Sequence, residues 1–216
     1  MFEHYTKLLD QNNSALQDLK DDNDSNAIFT SAHNLASDYE TLKLFLVDRP
    51  EDKMFELACI EYQHALFSAS IAHYRQAHVS LRLFFELSLG CVMFSAHEID
   101  AQLWLQCRKD INWNAVSNEE TGVFSKSFAG AFFDELKDAC PQYRALAAQV
   151  YRECSEYVHG NRQSFRTDGD RIEYRSDDIQ NWAERADTVA IAVKFAFLCR
   201  FLKGSVWTCR GLMPLL

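Results

Sequence analysis

The feature that most constrains the fold is a helical repeat of apolar residues along two long stretches of the chain. Over 79–94, and again over 179–201, apolar side chains recur every three or four residues, the spacing that collects them on one face of an α-helix. Helix breakers are scarce, with 7 glycines and 3 prolines among 216 residues. Few breakers and many helix formers favour long helices over strands and turns. The sequence therefore predicts an all-α fold, a single-domain bundle spanning residues 1–216.

The same periodicity predicts where the individual helices lie. A first helix over 2–19 is expected to break near 11–13, and the acidic run 21–25 is expected to cap the second. Pro50 is expected in the first turn of the third helix, where its missing N–H costs nothing. A hairpin or ordered loop is predicted near 164–175. The remaining helices are predicted over 26–46, 50–73, a stretch with its apolar face over 79–94, 101–108, 123–139, 142–159 and 177–203, with a loop before 123.

The cysteines, the N-terminal residues and the most apolar stretches indicate the cellular compartment. The seven cysteines form an odd set without a Cys-x-x-Cys pair, a pattern typical of reduced and mostly buried thiols. The start, Met1-Phe2-Glu3-His4, lacks the basic residues and apolar run of a secretory signal. The two most apolar stretches contain charged residues and are short for a membrane span. These features predict a cytoplasmic protein that does not cross a membrane.

The charge distribution limits the kind of ligand. A net charge of −9 argues against a general nucleic-acid binder, because such proteins face phosphates with lysine and arginine. The acid excess is concentrated in residues 1–60, which hold 12 acids against 5 bases. Residues 152–175 carry five arginines and five acids, so this region is compatible with an anionic ligand. The sequence contains no glycine-rich phosphate loop and no Gly-x-Ser-x-Gly turn.

Polar chemistry is concentrated in the stretch 151–161, Tyr-Arg-Glu-Cys-Ser-Glu-Tyr-Val-His-Gly-Asn. Arg152 and His159 are seven residues apart, which returns them to the same face of a helix. Gly160 favours the left-handed conformation that commonly ends helices. We therefore expect a helix that closes at this point, with His159 at its carbonyl end.

An arginine and a histidine on one face suit phosphodiester cleavage without a metal. Histidine transfers protons near neutral pH, and the planar guanidinium of arginine fits a phosphoryl group. The attacking group would be the 2′-hydroxyl of RNA, which DNA lacks. The two Cα atoms lie about 10 Å apart along the axis, and Arg152 leans away from His159. We therefore expect antiparallel copies of the helix in a symmetric dimer to bring Arg152 of one subunit to His159 of the other.

A purely structural interpretation of the same face is also open. His159 is favourable as a cation at a helix C-terminus, and Arg152 and Glu156 are an ordinary ion pair four residues apart. Cys154 is the nearest thiol, but its five-residue spacing from His159 places the two side chains on different faces. The spacing therefore disfavours thiol catalysis and leaves the structural and catalytic interpretations in competition.

A metal site is the other chemical alternative, because Glu-x-x-His occurs twice, as in helical di-iron proteins. In such proteins two further helices each supply a glutamate. The competing prediction for Glu86 is an ion pair with Arg82, four residues before it on the same helix. The candidate iron ligands are Glu61, His64, Glu156 and His159, with Glu40 and Glu86 as the added glutamates.

The run from Arg152 to His159, Arg-Glu-x5-His in a chain of long helices, resembles the signature of the HEPN superfamily. The resemblance implies an all-helical domain that dimerises and, in many members, a metal-independent endoribonuclease of bacterial toxin or antiviral defence systems. By that motif Arg152 and His159 are the catalytic pair, and Glu153 occupies the polar position often filled by Asn, Asp or His. The substrate-binding residues that the resemblance suggests are Ser155, Tyr157, Asn161 and Arg162.

The resemblance also implies the partners of the chain. These are an RNA substrate, a second copy of the chain and a regulating protein such as an antitoxin, while no cofactor or metal is expected. Some HEPN members bind a partner protein and do not cleave RNA, so a non-catalytic interaction module is the alternative function. The segments 73–94, 110–113 and 122–125 are also similar to bacterial proteins of this group.

Overall fold

A computed structural model describes residues 1–159 and 172–202, and the regular structure within them is entirely helical. The all-α prediction is confirmed for this part of the chain. Short 3-10 turns follow the second helix at Leu44–Leu46 and the seventh at Asp134–Leu136. The α-helices of the described residues are, in order, α1 (Phe2–Asp21), α2 (Asn23–Lys43), α3 (Asp52–Ser70), α4 (Tyr74–Phe94), α5 (Glu98–Leu105), α6 (Trp113–Val116), α7 (Lys126–Phe132), α8 (Cys140–Val158) and α9 (Ser176–Phe201).

Helix α9 is the centre of the bundle, because it packs against α2, α4 and α8. Its buried face includes Trp182 and Phe197, which are among the largest fully buried side chains of the protein. Helices α3 and α4 pack along each other, and the short connection between them makes them antiparallel neighbours. One cluster of buried side chains extends from Leu19 in α1 to Phe201 in α9.

By length and composition, α4 is the one helix of the described residues that could cross a membrane. In the structure, 72% of its most apolar window is buried inside the protein. The neighbours that surround it are α3, α8 and α9. A helix that is apolar on most of its circumference suits this central position as well as it suits a bilayer.

The acidic run between α1 and α2 caps α2 as predicted, whereas the prediction of a break in α1 is wrong. Asp22 is the N-cap of α2, and its Oδ1 accepts hydrogen bonds from the N–H groups of Asp24 and Ser25, each at 3.1 Å. Helix α1 runs without interruption through 11–13. Polar residues tolerate this helical conformation because they lie on its partly exposed sides, where their side chains do not compete for buried space.

Three other helix boundaries differ from the predictions. Pro50 lies in the turn before α3, whose N-cap is Glu51, a buried acid with its carboxylate 3.2 Å from Arg49 Nε. The helix predicted over 123–139 is divided, because Phe133, with φ −151° and ψ 83°, leaves the helical conformation after α7. The loop predicted before it contains α6, which is capped by the side chain of Asn112.

The hairpin predicted near 164–175 falls mainly outside the described residues. Only 172–175 lie within them, and these four residues have no regular secondary structure. The described cysteines are all free thiols, and four of the six are buried. The prediction of reduced and mostly buried cysteines is confirmed for this part of the chain.

Candidate functional site

Helix α8 carries the motif, and its apolar spacing decides which side faces the bundle. Ala147, Val150 and Cys154 are buried at the three- and four-residue spacing of one helical face. Pro141 lies in the first turn, where the missing N–H breaks no intrahelical hydrogen bond. The opposite face of α8 therefore points to solvent.

Arg152 and His159 both lie on this solvent-exposed face, as their seven-residue spacing predicts. His159 is the C-cap residue of α8, and its N–H donates to the carbonyl of Ser155 at 3.1 Å. Arg152 forms no hydrogen bond or ion pair with any residue that the structure describes, so the expected pair with Glu156 is not formed. The rise of an α-helix keeps Arg152 and His159 about 10 Å apart along its axis.

The other predicted substrate-binding residues have different surroundings. Ser155 is half-buried on the same side of α8, and its hydroxyl donates to the carbonyl of Tyr151 at 2.6 Å. A ligand would therefore meet the Ser155 oxygen as an acceptor. Asn161 and Arg162 lie outside the described residues.

Glu153 is not brought together with Arg152 and His159. Its Oε2 lies 3.2 Å from Arg185 Nε on α9, and its Oε1 accepts a hydrogen bond from Gln149 Nε2 at 2.9 Å. The reason is the 100° turn per residue, which directs the side chain after Arg152 toward α9. The carboxylate therefore contributes to the α8–α9 contact, and its charge is offset by Arg185.

Tyr157 also faces the bundle, where it stacks on His78 of α4. The two ring centroids are 3.9 Å apart and the planes differ by 20°. Burial, together with the positive charge of Arg185, lowers the pKa of His78 to about 3. His78 is therefore neutral at physiological pH, and its buried Nδ1 has no hydrogen-bond partner among the described residues. Tyr157 thus belongs to the α4–α8 contact and not to the open face.

Arg75 of α4 reaches the end of α8, a role that the sequence did not reveal. Its Nε donates to the main-chain carbonyl of Tyr157 at 3.0 Å. That carbonyl belongs to the last turn, whose acceptors lack intrahelical donors and favour a cation. Arg75 therefore brings a positive charge to the end of α8 that carries His159. No local pattern could predict this contact, because the two residues are 82 positions apart.

A network around Tyr151 fixes the middle of α8. Arg82 and Glu86 form the ion pair that their spacing predicts, at 3.0 Å. The Tyr151 hydroxyl donates to Glu86 at 2.8 Å and accepts from Arg82 at 2.5 Å. Its ring stacks on Trp113 of α6, with centroids 3.6 Å and planes 3° apart. These contacts hold Arg152, the next residue, at a defined position on the surface.

The candidate iron ligands do not converge. Glu61 and His64 contact each other on α3 at 3.5 Å, and Glu86 is held by Arg82 and Tyr151. Across residues 1–159 and 172–202, no group of three His, Cys, Asp or Glu side chains is placed to share a metal ion. The described residues therefore give no support to the di-iron alternative.

No family model matches the sequence, and no curated protein or solved structure is significantly similar to it. The resemblance to the HEPN superfamily therefore stays a prediction from the sequence. What these residues offer is an arginine and a histidine open to solvent on one helical face, with a second arginine at the end of the same helix.

Proposed function

We propose that the chain is a metal-independent endoribonuclease that acts as a symmetric dimer, of the type used in bacterial toxin and antiviral defence systems. The observation that carries this proposal is the open face of α8, on which Arg152 and His159 are both exposed. No acid of the described residues neutralises Arg152. A guanidinium without an acidic partner can bind a phosphate, and an imidazole open to solvent is available for proton transfer.

The proposed reaction is attack of the 2′-hydroxyl of RNA on the adjacent phosphorus. His159 removes the hydroxyl proton or gives a proton to the departing 5′-oxygen, while Arg152 stabilises the charge on the phosphoryl oxygens. The bond from phosphorus to the 5′-oxygen breaks as the bond to the 2′-oxygen forms. The products are a 2′,3′-cyclic phosphate and a free 5′-hydroxyl.

The dimer is part of the proposal, because one helix keeps the two groups about 10 Å apart. A two-fold axis passing between Ser155 and Glu156 would pair α8 with an antiparallel copy and place Arg152 of one subunit opposite His159 of the other. Two equivalent sites would then share one cleft.

The primary test is cleavage of a labelled RNA by the purified chain in the presence of EDTA. The wild-type protein is expected to cut the RNA and to spare the same strand carrying a 2′-deoxy sugar at the cut position. Arg152→Ala and His159→Ala are each expected to abolish cutting. Arg108→Ala and His97→Ala, which remove an exposed arginine and an exposed histidine elsewhere, are the matched controls. Cutting that survives both α8 substitutions would overturn the proposal.

Mixing the two inactive variants tests the shared site. In a mixed dimer, one site contains both substitutions and the other contains an intact Arg152 and an intact His159. Random re-pairing of the subunits is expected to restore about a quarter of the wild-type activity. A mixture that stays inactive contradicts the shared site. Absence of cleavage in the wild-type protein, together with a stable complex with another protein, would favour the interaction module.

A further inference from the structure

The first half of α1 exposes an apolar stripe that the described chain does not cover. Phe2, Tyr5 and Leu9 are 77%, 57% and 61% exposed, and they recur at helical spacing on one side of the helix. Only two residues of α1 are buried, and both lie in its second half. We refer to residues 2–10 of α1 as the arm.

The arm does not fold back onto its own bundle, because α1 is one continuous helix whose second half is held in place. Asn12 Oδ1 lies 2.9 Å from Nε2 of His73, in the connection between α3 and α4. A free helical segment of about ten residues is marginal in water, and exposed apolar stripes mark contact surfaces. The arm is therefore an apolar surface that a second molecule can cover.

A groove with an apolar strip lies between α3 and α4, at the same end of the bundle as the base of the arm. It has a volume of about 340 Å³, and Phe67, Val79 and Leu83 form its apolar strip. The other lining residues are polar, and they are Glu61, His64, Ser68, Gln76 and Ser80. Phe67 is 65% exposed and Leu83 is 40% exposed. The lining residues on α4 run from Gln76 to Leu83, which is about 10 Å along a helix axis. The stripe of the arm has the same length, since it also spans seven positions.

We propose that two copies of the chain exchange arms, each arm lying in the α3–α4 groove of the other copy. An amphipathic helix in an apolar groove is a common mode of recognition. The chain presents both surfaces near one end, so a two-fold axis at that end brings both arms to both grooves at once. Each contact covers an exposed stripe and an exposed groove that are both otherwise open to water.

Complete burial of these side chains would reach the lower end of the range for stable interfaces. With about 200 Å² for a large side chain, burying the exposed parts of the three stripe residues and of Phe67 and Leu83 in both contacts removes at most about 1,200 Å² from water. Stable interfaces bury about 1,200–2,000 Å² in total. The second copy is therefore an occupant that the stripe and groove can hold without any further partner.

Sedimentation of the full chain over a range of concentrations tests the exchange. The wild-type chain is expected to dimerise, and Phe2→Glu with Leu9→Glu, or Phe67→Glu with Leu83→Glu, is expected to raise the dissociation constant at least about 100-fold, since each charge would be buried in an apolar contact. Leu44→Glu with Ile99→Glu, at two exposed apolar residues on other surfaces, is the matched control and is expected to change nothing. Circular dichroism establishes that each variant is folded.

Mixing the arm variant with the groove variant separates this dimer from any other. A mixed pair retains one intact arm in one intact groove, so the mixture is expected to associate more tightly than either variant alone. A wild-type chain that stays monomeric, or arm and groove variants that dimerise as the wild type does, would overturn the exchange. Because pairing through α8 would also give a dimer, the effect of the arm and groove substitutions on the mass is what distinguishes the exchange, and RNA cleavage is scored separately.

Discussion

The guanidinium of Arg75 and the main-chain carbonyl of Tyr157 are 3.0 Å apart, and this hydrogen bond links the first turn of α4 to the last turn of α8. His159 lies two residues beyond that carbonyl, as the C-cap of α8. The contact therefore supports the end of the helix on which the proposed catalytic imidazole is carried. It also joins the open face of α8 to the helix that forms one wall of the α3–α4 groove.

Replacing Arg75 with alanine is expected to loosen the last turn of α8 and leave the bundle folded. One hydrogen bond of this kind contributes about 1 kcal/mol, which corresponds to a five- to tenfold loss of RNA cleavage if the end of α8 must be fixed. Hydrogen exchange of the amides at 156–159 is expected to accelerate by a similar factor. Arg108→Ala is the matched control, and unchanged exchange at 156–159 would contradict the assignment.

Removing the Tyr151 hydroxyl is expected to destabilise the protein. Tyr151→Phe keeps the stack on Trp113 but leaves Glu86 and Arg82 without their shared partner, which costs about 1–2 kcal/mol of unfolding free energy. Chemical denaturation measures this difference. Tyr143→Phe, at a tyrosine whose ring stacks on Phe195, is the control. Equal losses in the two variants would show that the hydrogen-bond network is not the cause.

The buried His78 is expected to make the folded state less stable in acid. Its folded pKa is lowered to about 3 by burial and by Arg185, against an ordinary value of 6.5. Below pH 6.5 the unfolded chain binds a proton that the folded chain does not, so stability falls between pH 6.5 and about 3. The loss attributable to His78 is about 1.4 kcal/mol per pH unit within this window.

The measurement for His78 is the unfolding free energy at pH 7 and at pH 5. His78→Phe keeps a ring against Tyr157 and cannot take up a proton. Between pH 7 and pH 5, its unfolding free energy is therefore expected to fall by about 2 kcal/mol less than that of the wild type. Tyr157→Phe retains His78 and is expected to follow the wild type. Parallel pH profiles for His78→Phe and the wild type would contradict the assignment.

Among the six cysteines that the structure describes, maleimide labelling is expected to be fastest at Cys107, which is exposed. Burial raises the pKa of Cys154 to about 12, and burial with the nearby Glu40 raises that of Cys59 to about 12. Both therefore remain protonated and unreactive near neutral pH. Mass spectrometry after a short maleimide treatment measures the order in which the cysteines are labelled. Rapid labelling of Cys154 in the folded protein would reopen thiol catalysis.

Two glycines, Gly122 before α7 and Gly130 within α7, provide a test of local packing. A Cβ at Gly122 would lie 2.4 Å from the carbonyl oxygen of Val116 and 2.6 Å from main-chain atoms of Asn118, which cannot move aside as a side chain can. Gly122→Ala is expected to cost about 2–3 kcal/mol of unfolding free energy. Gly130→Ala, inside α7 with its nearest contact at 3.5 Å, is expected to be neutral or stabilising by up to about 1 kcal/mol.

The long helices and the exposed motif face follow from the sequence because both depend on local periodicity. The 3.6-residue turn places Arg152 and His159 on one side, and the same spacing buries Val150 and Cys154 on the other. The environment of the motif does not follow in this way. The contacts of Glu153 with Arg185 and of Tyr157 with His78 depend on how α8 lies against α9 and α4, which no local pattern specifies.

The packing of helices against one another also explains why the helix predicted over 123–139 is divided. Apolar residues continue at helical spacing through this segment, but the chain must turn between α7 and α8 to bring both onto α9. Phe133 makes that turn with a non-helical backbone conformation, and the 3-10 turn at Asp134–Leu136 follows it. Tertiary packing overrides the local helical preference at this point.

The central position of α9 has a consequence for folding during synthesis on the ribosome. Its partners α2 and α4 are synthesised well before it, since more than 80 residues separate the end of α4 from the start of α9. Until α9 emerges, the apolar sides of α2, α4 and α8 have no central helix to receive them. The nascent chain therefore carries exposed apolar surface until α9 is synthesised, and slowing translation just before α9 is expected to lower the yield of folded protein.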